Sequence, residues 1–183
     1  MLSTLFARRP AVLDTATWTP DGTTVQWYRG AVGEREGAIV LCYTADGDRG
    51  TSPFAAACLG CTYRADSRSR SRLTEKEAAD LANTHAAGCR ALDRGIPAAP
   101  DDDQAAKIVR DRLWGLRMYG TTGRHPVYLS DFHADRVDLQ RPAGFIKETM
   151  LQLAKREPDF LAARLNTSGT GTQFLVLPHP PRT

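Results

Sequence analysis

Two short pairs of soft ligands constrain this chain more than anything else in it. Cys58-Leu59-Gly60-Cys61 puts two thiolates at the tip of one tight turn, close enough to share a metal ion. His85-Ala86-Ala87-Gly88-Cys89 places an imidazole and a third thiolate four residues apart, so on a helix they project from one face, one turn apart. Together the pairs supply the four nitrogen and sulfur donors of a closed tetrahedral zinc site. Such a fold must bring residues 58–61 against residues 85–89.

The intervening residues agree with that demand. Thr74-Glu75-Lys76-Glu77 has the form of a capping box, with the Thr74 hydroxyl and the Glu77 carboxylate satisfying free N–H groups at a helix start. Ala78, Leu81, Ala82, His85, Cys89 and Leu92 then recur at helical spacing, which predicts one inward face carrying both helix ligands, ended by Gly95 and Pro97. Upstream, Phe54 to Cys58 and Cys61 to Arg64 read as two arms of a hairpin around a Gly60 knuckle.

Hairpin, knuckle, helix and H-x3-C in this order resemble the ββα zinc finger family over residues 54–92. The resemblance implies a structural Zn²⁺ held by Cys58, Cys61, His85 and Cys89. The chain departs from the family in two ways. Residues 62–84 separate the pairs, where the family uses about a dozen residues, and the last ligand is Cys rather than His. The long connection equally suits a treble clef or a one-off zinc module, so the DNA-reading helix positions of the family are not carried over. Four buried thiols or a pair of disulfides are the bland alternatives. Cys42, in the run Ala38 to Tyr43, suits a small buried hydrophobe, or could replace His85 in an all-cysteine set. Met1 to Pro10 is too short and too basic for a secretory signal. Reduced thiols in a cytoplasm are therefore expected rather than a disulfide framework.

A chain of 183 residues with 42% hydrophobic content can bury one good core or two small ones. No apolar run approaches membrane-spanning length. The net charge of +3 is too small to argue for a polyanionic partner by itself. Of 24 basic residues only Lys76, Lys107, Lys147 and Lys155 are lysines, an arginine bias that codon composition in a GC-rich genome also produces. An α+β fold is expected: a β-rich part over 1–96 containing the zinc module (54–92), a linker over 97–103, and a winged-helix-like domain over 104–183. In the first part, Thr24 to Tyr28 and residues 38–44 read as strands, separated from their neighbours by turn-rich stretches at Thr17 to Thr23 and Ala45 to Gly50.

In the last part, Asp101-Asp102-Asp103 reads as the cap of a helix whose apolar face is Ala105, Ile108, Val109, Leu113 and Leu116. A strand at Pro126 to Leu129 and a polar stretch from Ser130 to Asp138 follow. A helix then begins at Pro142 with Phe145, Ile146, Met150, Leu153 and Ala154 as its stripe, and two strands, Phe160 to Asn166 and Thr172 to Leu177, flank a Gly-rich tip. The order helix, strand, short helix, helix, hairpin is similar to that of a winged helix, in which the second long helix reads DNA and the hairpin is the wing.

Three functional readings follow. The first is a zinc-stabilised nucleic-acid-associated protein, DNA being the expected partner, in regulation or on a mobile element. Its contacts would come from Arg64, Arg68, Arg70 and Arg72, whose planar guanidiniums suit phosphate, and from Lys147 and Lys155 on the reading helix. The second is a zinc-stabilised module for binding another protein. The third is a metal-dependent nuclease using Asp131, His133, Asp135 and Asp138. Four protein ligands would leave no open position on the zinc, so the metal is expected to be structural rather than catalytic, which weighs against an enzyme while leaving the question open.

Overall fold

The computed structural model describes residues 25–33, 35–44, 54–65, 73–117, 123–166 and 171–179. Within them the chain is α+β. Strands β1 (Val25–Val32), β2 (Arg35–Thr44), β3 (Phe54–Cys58) and β4 (Arg64–Ala65) form an antiparallel sheet in sequence order. Helix α1 (Glu75–Gly88) lies on one face of it. Helices α2 (Asp102–Gly115), α3 (Arg136–Leu139) and α4 (Ala143–Arg156) accompany a second sheet of β5 (His125–Val127), β6 (Leu161–Leu165) and β7 (Thr172–Val176), in the order β5-β7-β6. A 3-10 turn, Leu129–Phe132, precedes α3.

The unbroken apolar run of β2 is explained by burial on both faces. Its pleat sends Ala38, Val40 and Cys42 toward the alanines Ala78, Ala82 and Ala86 of α1. Ile39, Leu41 and Tyr43 go to the other face, where Val137 of α3 packs. The first sheet is thus held between its own helix and the C-terminal part. Alanines spaced four apart let α1 sit close to the sheet. Gly30 shows how close, because a methyl group there would overlap the Ala86 carbonyl.

Helix α1 starts at the expected capping box: the Glu77 N–H donates to the Thr74 hydroxyl at 3.3 Å and the Thr74 N–H to the Glu77 carboxylate at 2.8 Å. Its end differs from expectation. The helix stops at Gly88, and Cys89 already has extended backbone (φ −74°, ψ 127°). Residues beyond it run along β2, where the Ala38 N–H donates to the Ala91 carbonyl at 3.0 Å and Leu92 bridges Gly37. Leu81 and Leu92 are exposed, so the buried stripe consists of alanines rather than leucines.

In the C-terminal part α2 is capped by Asp101, whose carboxylate accepts the Gln104 N–H at 2.8 Å. Ala105, Val109 and Leu113 of α2 join Ile146, Met150 and Leu153 of α4, with Phe132, Phe160 and Phe174, in one core. Helix, strand, short helices, long helix and hairpin follow in winged-helix-like order. The Gly-rich tip at 167–170 lies outside the described residues.

Residues 97–100, ahead of α2, pack against the C-terminal part. Gln140 donates its side-chain amide to the Pro97 carbonyl at 2.7 Å, and Arg141 donates to the Pro100 carbonyl at 2.6 Å. The Tyr43 hydroxyl reaches the His133 carbonyl at 2.6 Å, tying the first sheet to the turn before α3.

Candidate metal centre

The pleat of β3 points Cys58 toward α1, as it does Ala56 two residues earlier. Immediately after Cys58 the chain turns through Leu59-Gly60-Cys61. Gly60 is required there by space, since a methyl group would overlap the Ala38 side chain and the Leu92 carbonyl. The last turn of α1 comes down over this knuckle and presents His85. The Cys89 N–H still makes the helical bond to the His85 carbonyl at 2.8 Å, so Cys89 stays on the same side although the helix has ended.

The ligand atoms of Cys58, Cys61, His85 and Cys89 all lie within 4.8 Å of one another. Cys58 Sγ is 4.0 Å from Cys89 Sγ, and Cys61 Sγ is 3.3 Å from His85 Nε2. A tetrahedron with Zn–S bonds of about 2.3 Å and a Zn–N bond of about 2.0–2.1 Å has edges of roughly 3.8 and 3.6 Å. The observed separations bracket these. They also leave the thiols free, at nearly twice a disulfide bond length of about 2.05 Å. Two backbone amides point into the cluster: Gly60 N–H toward Cys58 Sγ at 3.3 Å, and Tyr63 N–H toward Cys61 Sγ at 3.4 Å. Such donors stabilise thiolate over thiol. Donor types, edges and amides all suit zinc.

The surroundings prepare the imidazole as well. Tyr63 stacks on His85 with ring centroids 3.8 Å apart and planes 9° from parallel. Burial holds the His85 ring below the usual histidine range, which favours the neutral, metal-binding form. The same burial pushes the Cys58 thiol up to about 11 without metal. A metal ion must therefore displace a proton there, and binding is coupled to pH. With four protein ligands the site would be closed, giving zinc a structural task.

Cys42 does not belong to the cluster. Val40 is the residue opposite Cys58, while Cys42 lies opposite Ala56. Two residues along a strand are about 7 Å, too far for a shared ion. Cys42 is 1% exposed and fills the alanine-rich interface with α1.

Arg64 is engaged within the protein. Its guanidinium pairs with Asp138 through two bonds of 2.8 and 2.7 Å and donates to the carbonyls of Cys58 and Tyr63 at 2.9 and 2.8 Å. It braces the knuckle from behind and links it to α3. Neither Tyr63 nor this use of Arg64 was legible beforehand; their adjacency to Cys61 was the available signal. Arg68, Arg70 and Arg72 lie outside the described residues. Lys147 and Lys155 are exposed on α4.

Asp131, His133, Asp135 and Asp138 form no metal-holding group among the described residues. Asp131 caps the 3-10 turn by accepting the Tyr128 N–H at 2.7 Å, Asp135 is 3.3 Å from Arg112, and Asp138 serves Arg64. His133 is buried. Among the described residues no helix is long and apolar enough to cross a membrane. Comparison of the chain with protein-family models, curated proteins and solved structures gives no match.

Proposed function

We propose that this is a zinc-stabilised DNA-binding protein in which the metal centre is scaffold and the winged-helix-like part is the reader. The observation that carries this reading is helix α4. Its inner stripe of Ile146, Thr149, Met150 and Leu153 is buried, and its outer side exposes Lys147, Glu148, Gln152 and Lys155, a net positive face, beside the β6–β7 hairpin. A helix held by its inner face, cationic outside and followed by a hairpin, has the form that enters a major groove. In this reading residues 1–96 hold the zinc, 97–103 connect, and 104–183 contact DNA. Arg68, Arg70 and Arg72 add phosphate contacts from the connection between the ligand pairs. The thiols require a reducing compartment such as a cytoplasm.

Metal analysis combined with salt-titrated binding to duplex DNA tests the reading. One zinc per chain is expected, with affinity that falls as salt rises. Replacing both Lys147 and Lys155 with Ala should flatten the log–log salt slope by about 1.8, since each phosphate contact contributes about 0.9. Replacing Arg68, Arg70 and Arg72 should flatten it by roughly two to three more. A zinc-loaded protein with no salt-sensitive DNA binding would turn the assignment to a protein-interaction module.

A further inference from the structure

A cleft of about 920 Å³ opens where the C-terminal ends of α2 and α4 meet the segment after β7, remote from the metal ligands in sequence. Arg110, Trp114 and Arg117 reach it at helical spacing from the end of α2, and His179 closes one side. Trp114 is 42% exposed, a large apolar surface left to solvent. Its ring is held rather than loose, with Phe160 at 5.3 Å and His179 edge-on at 5.4 Å between centroids.

The cations around the indole are fixed as well. Arg110 lies 5.4 Å from the Trp114 centroid and is oriented by two 2.8 Å bonds to Glu157. Arg117 lies 4.9 Å from it and donates to the carbonyls of Leu177, Asp159 and Pro178 at 3.0, 3.1 and 3.1 Å. Arg124 and Arg156 line the rim, exposed and without an ion pair among the described residues. Four arginines against Glu157 and Asp159 leave the lining at +2 with His179 neutral.

We propose that this cleft binds one or two nucleotides of a single-stranded nucleic acid. A base stacks on the indole–guanidinium surface, and the flanking phosphates meet Arg124 and Arg156. A held aromatic ring supplies the sequence-tolerant stacking platform, and the cationic rim tracks the backbone. An aliphatic acid would use the charge and leave the indole idle. A duplex keeps its bases stacked inside and could not use the ring either. The site is therefore distinct from the outer face of α4 and does not depend on duplex binding there.

The test is fluorescence anisotropy of the full zinc-loaded chain with labelled octathymidylate, alongside a closed duplex dumbbell lacking single-stranded ends. Trp114→Ala should weaken octathymidylate binding by about 5- to 150-fold, the range expected for one stacked base, while Trp114→Phe keeps most of it. Arg124→Ala with Arg156→Ala removes only solvent-exposed groups, so the fold is not at risk. This pair should weaken binding and flatten the salt slope by up to about 1.4, at about 0.7 per phosphate on a single strand. Dumbbell binding should not change in any of these variants. Octathymidylate that fails to bind wild type, or that binds the Trp114→Ala and the double-arginine variants like wild type, overturns the proposal. So does displacement by octaglutamate at equal concentration, which would reassign the cleft to an acidic peptide. Loss of dumbbell binding by wild type would sink the duplex reading alone.

Discussion

Cys42 and Cys58 face the same helix from neighbouring strands, yet only Cys58 joins the cluster, because the register sets Cys42 two residues away. Ligand spacing along the chain can propose a set but carries no strand register, which is why spacing alone does not separate Cys42 from the ligands. Burial pushes both thiols up to about 11 in the absence of metal, with Glu75 adding to the effect at Cys42. An unfolded cysteine titrates near about 8.5. Each folded value is raised, so the stabilisation from a neutral buried thiol is complete below about pH 8.5 and is lost as pH climbs toward 11. Metal-free protein should lose stability across that window by on the order of 2 kcal/mol per thiol. Urea unfolding at pH 8 and pH 10.5, with and without chelator, measures this. Cys42→Ala should remove its share of the loss in both forms, whereas zinc should remove the share of Cys58 alone. A Cys42→Ala protein with the same alkaline loss as wild type would show that burial of this thiol does not matter.

At the scale of elements, α1 succeeds as a zinc helix because it is built on alanine. Ala78, Ala82 and Ala86 are all buried against Ala38, Val40 and Ala56, and this close packing lowers His85 onto the knuckle. Enlarging the middle residue should therefore disturb both the core and the site. Ala82→Leu is expected to destabilise the protein by about 1–3 kcal/mol through overpacking. Zinc affinity should weaken as well, read by competition with a chromophoric chelator. Ala79, partly buried at the border of the interface, should accept Leu at much lower cost. The start of α1 was legible, because a capping box is a local device. Its end was not. Leu92 continues the helical spacing, but the chain has already left the helix after Gly88 to bond along β2, and that edge lies fifty residues upstream. The C-terminal elements were legible for the same local reasons: the Asp101 cap, the Pro142 start and the period of α4. The short helix expected between the strand and α4 is there, as the 3-10 turn and α3, but its division and bounds were not legible, since Tyr43, Arg64 and Arg112 shape it from afar.

Over the whole molecule the metal centre and the winged-helix-like part are mechanically joined. Arg64 touches the knuckle through the carbonyls of Cys58 and Tyr63 and touches α3 through Asp138. Val137, one residue earlier on α3, is packed into the far face of the zinc-bearing sheet. Loss of the ion would free the knuckle, and with it the carbonyls that hold the Arg64 fork. Chelation should therefore raise amide hydrogen exchange in residues 54–65 and 85–92 first, and then in residues 136–139, although no ligand lies there. Asp138→Asn removes the bidentate charge pair while keeping the side-chain shape. Since the Asp138 side chain is 38% exposed, the stability cost should be modest, about 1 kcal/mol. Its effect on coupling should be larger: residues 136–139 should exchange faster even with zinc bound, and chelation should then change them little further. Arg64→Lys should behave similarly, because an ammonium cannot reproduce the planar fork. Should residues 136–139 in wild type keep the same exchange rate with and without zinc, the two parts would be packed together but not coupled, and the metal would stabilise only its own module.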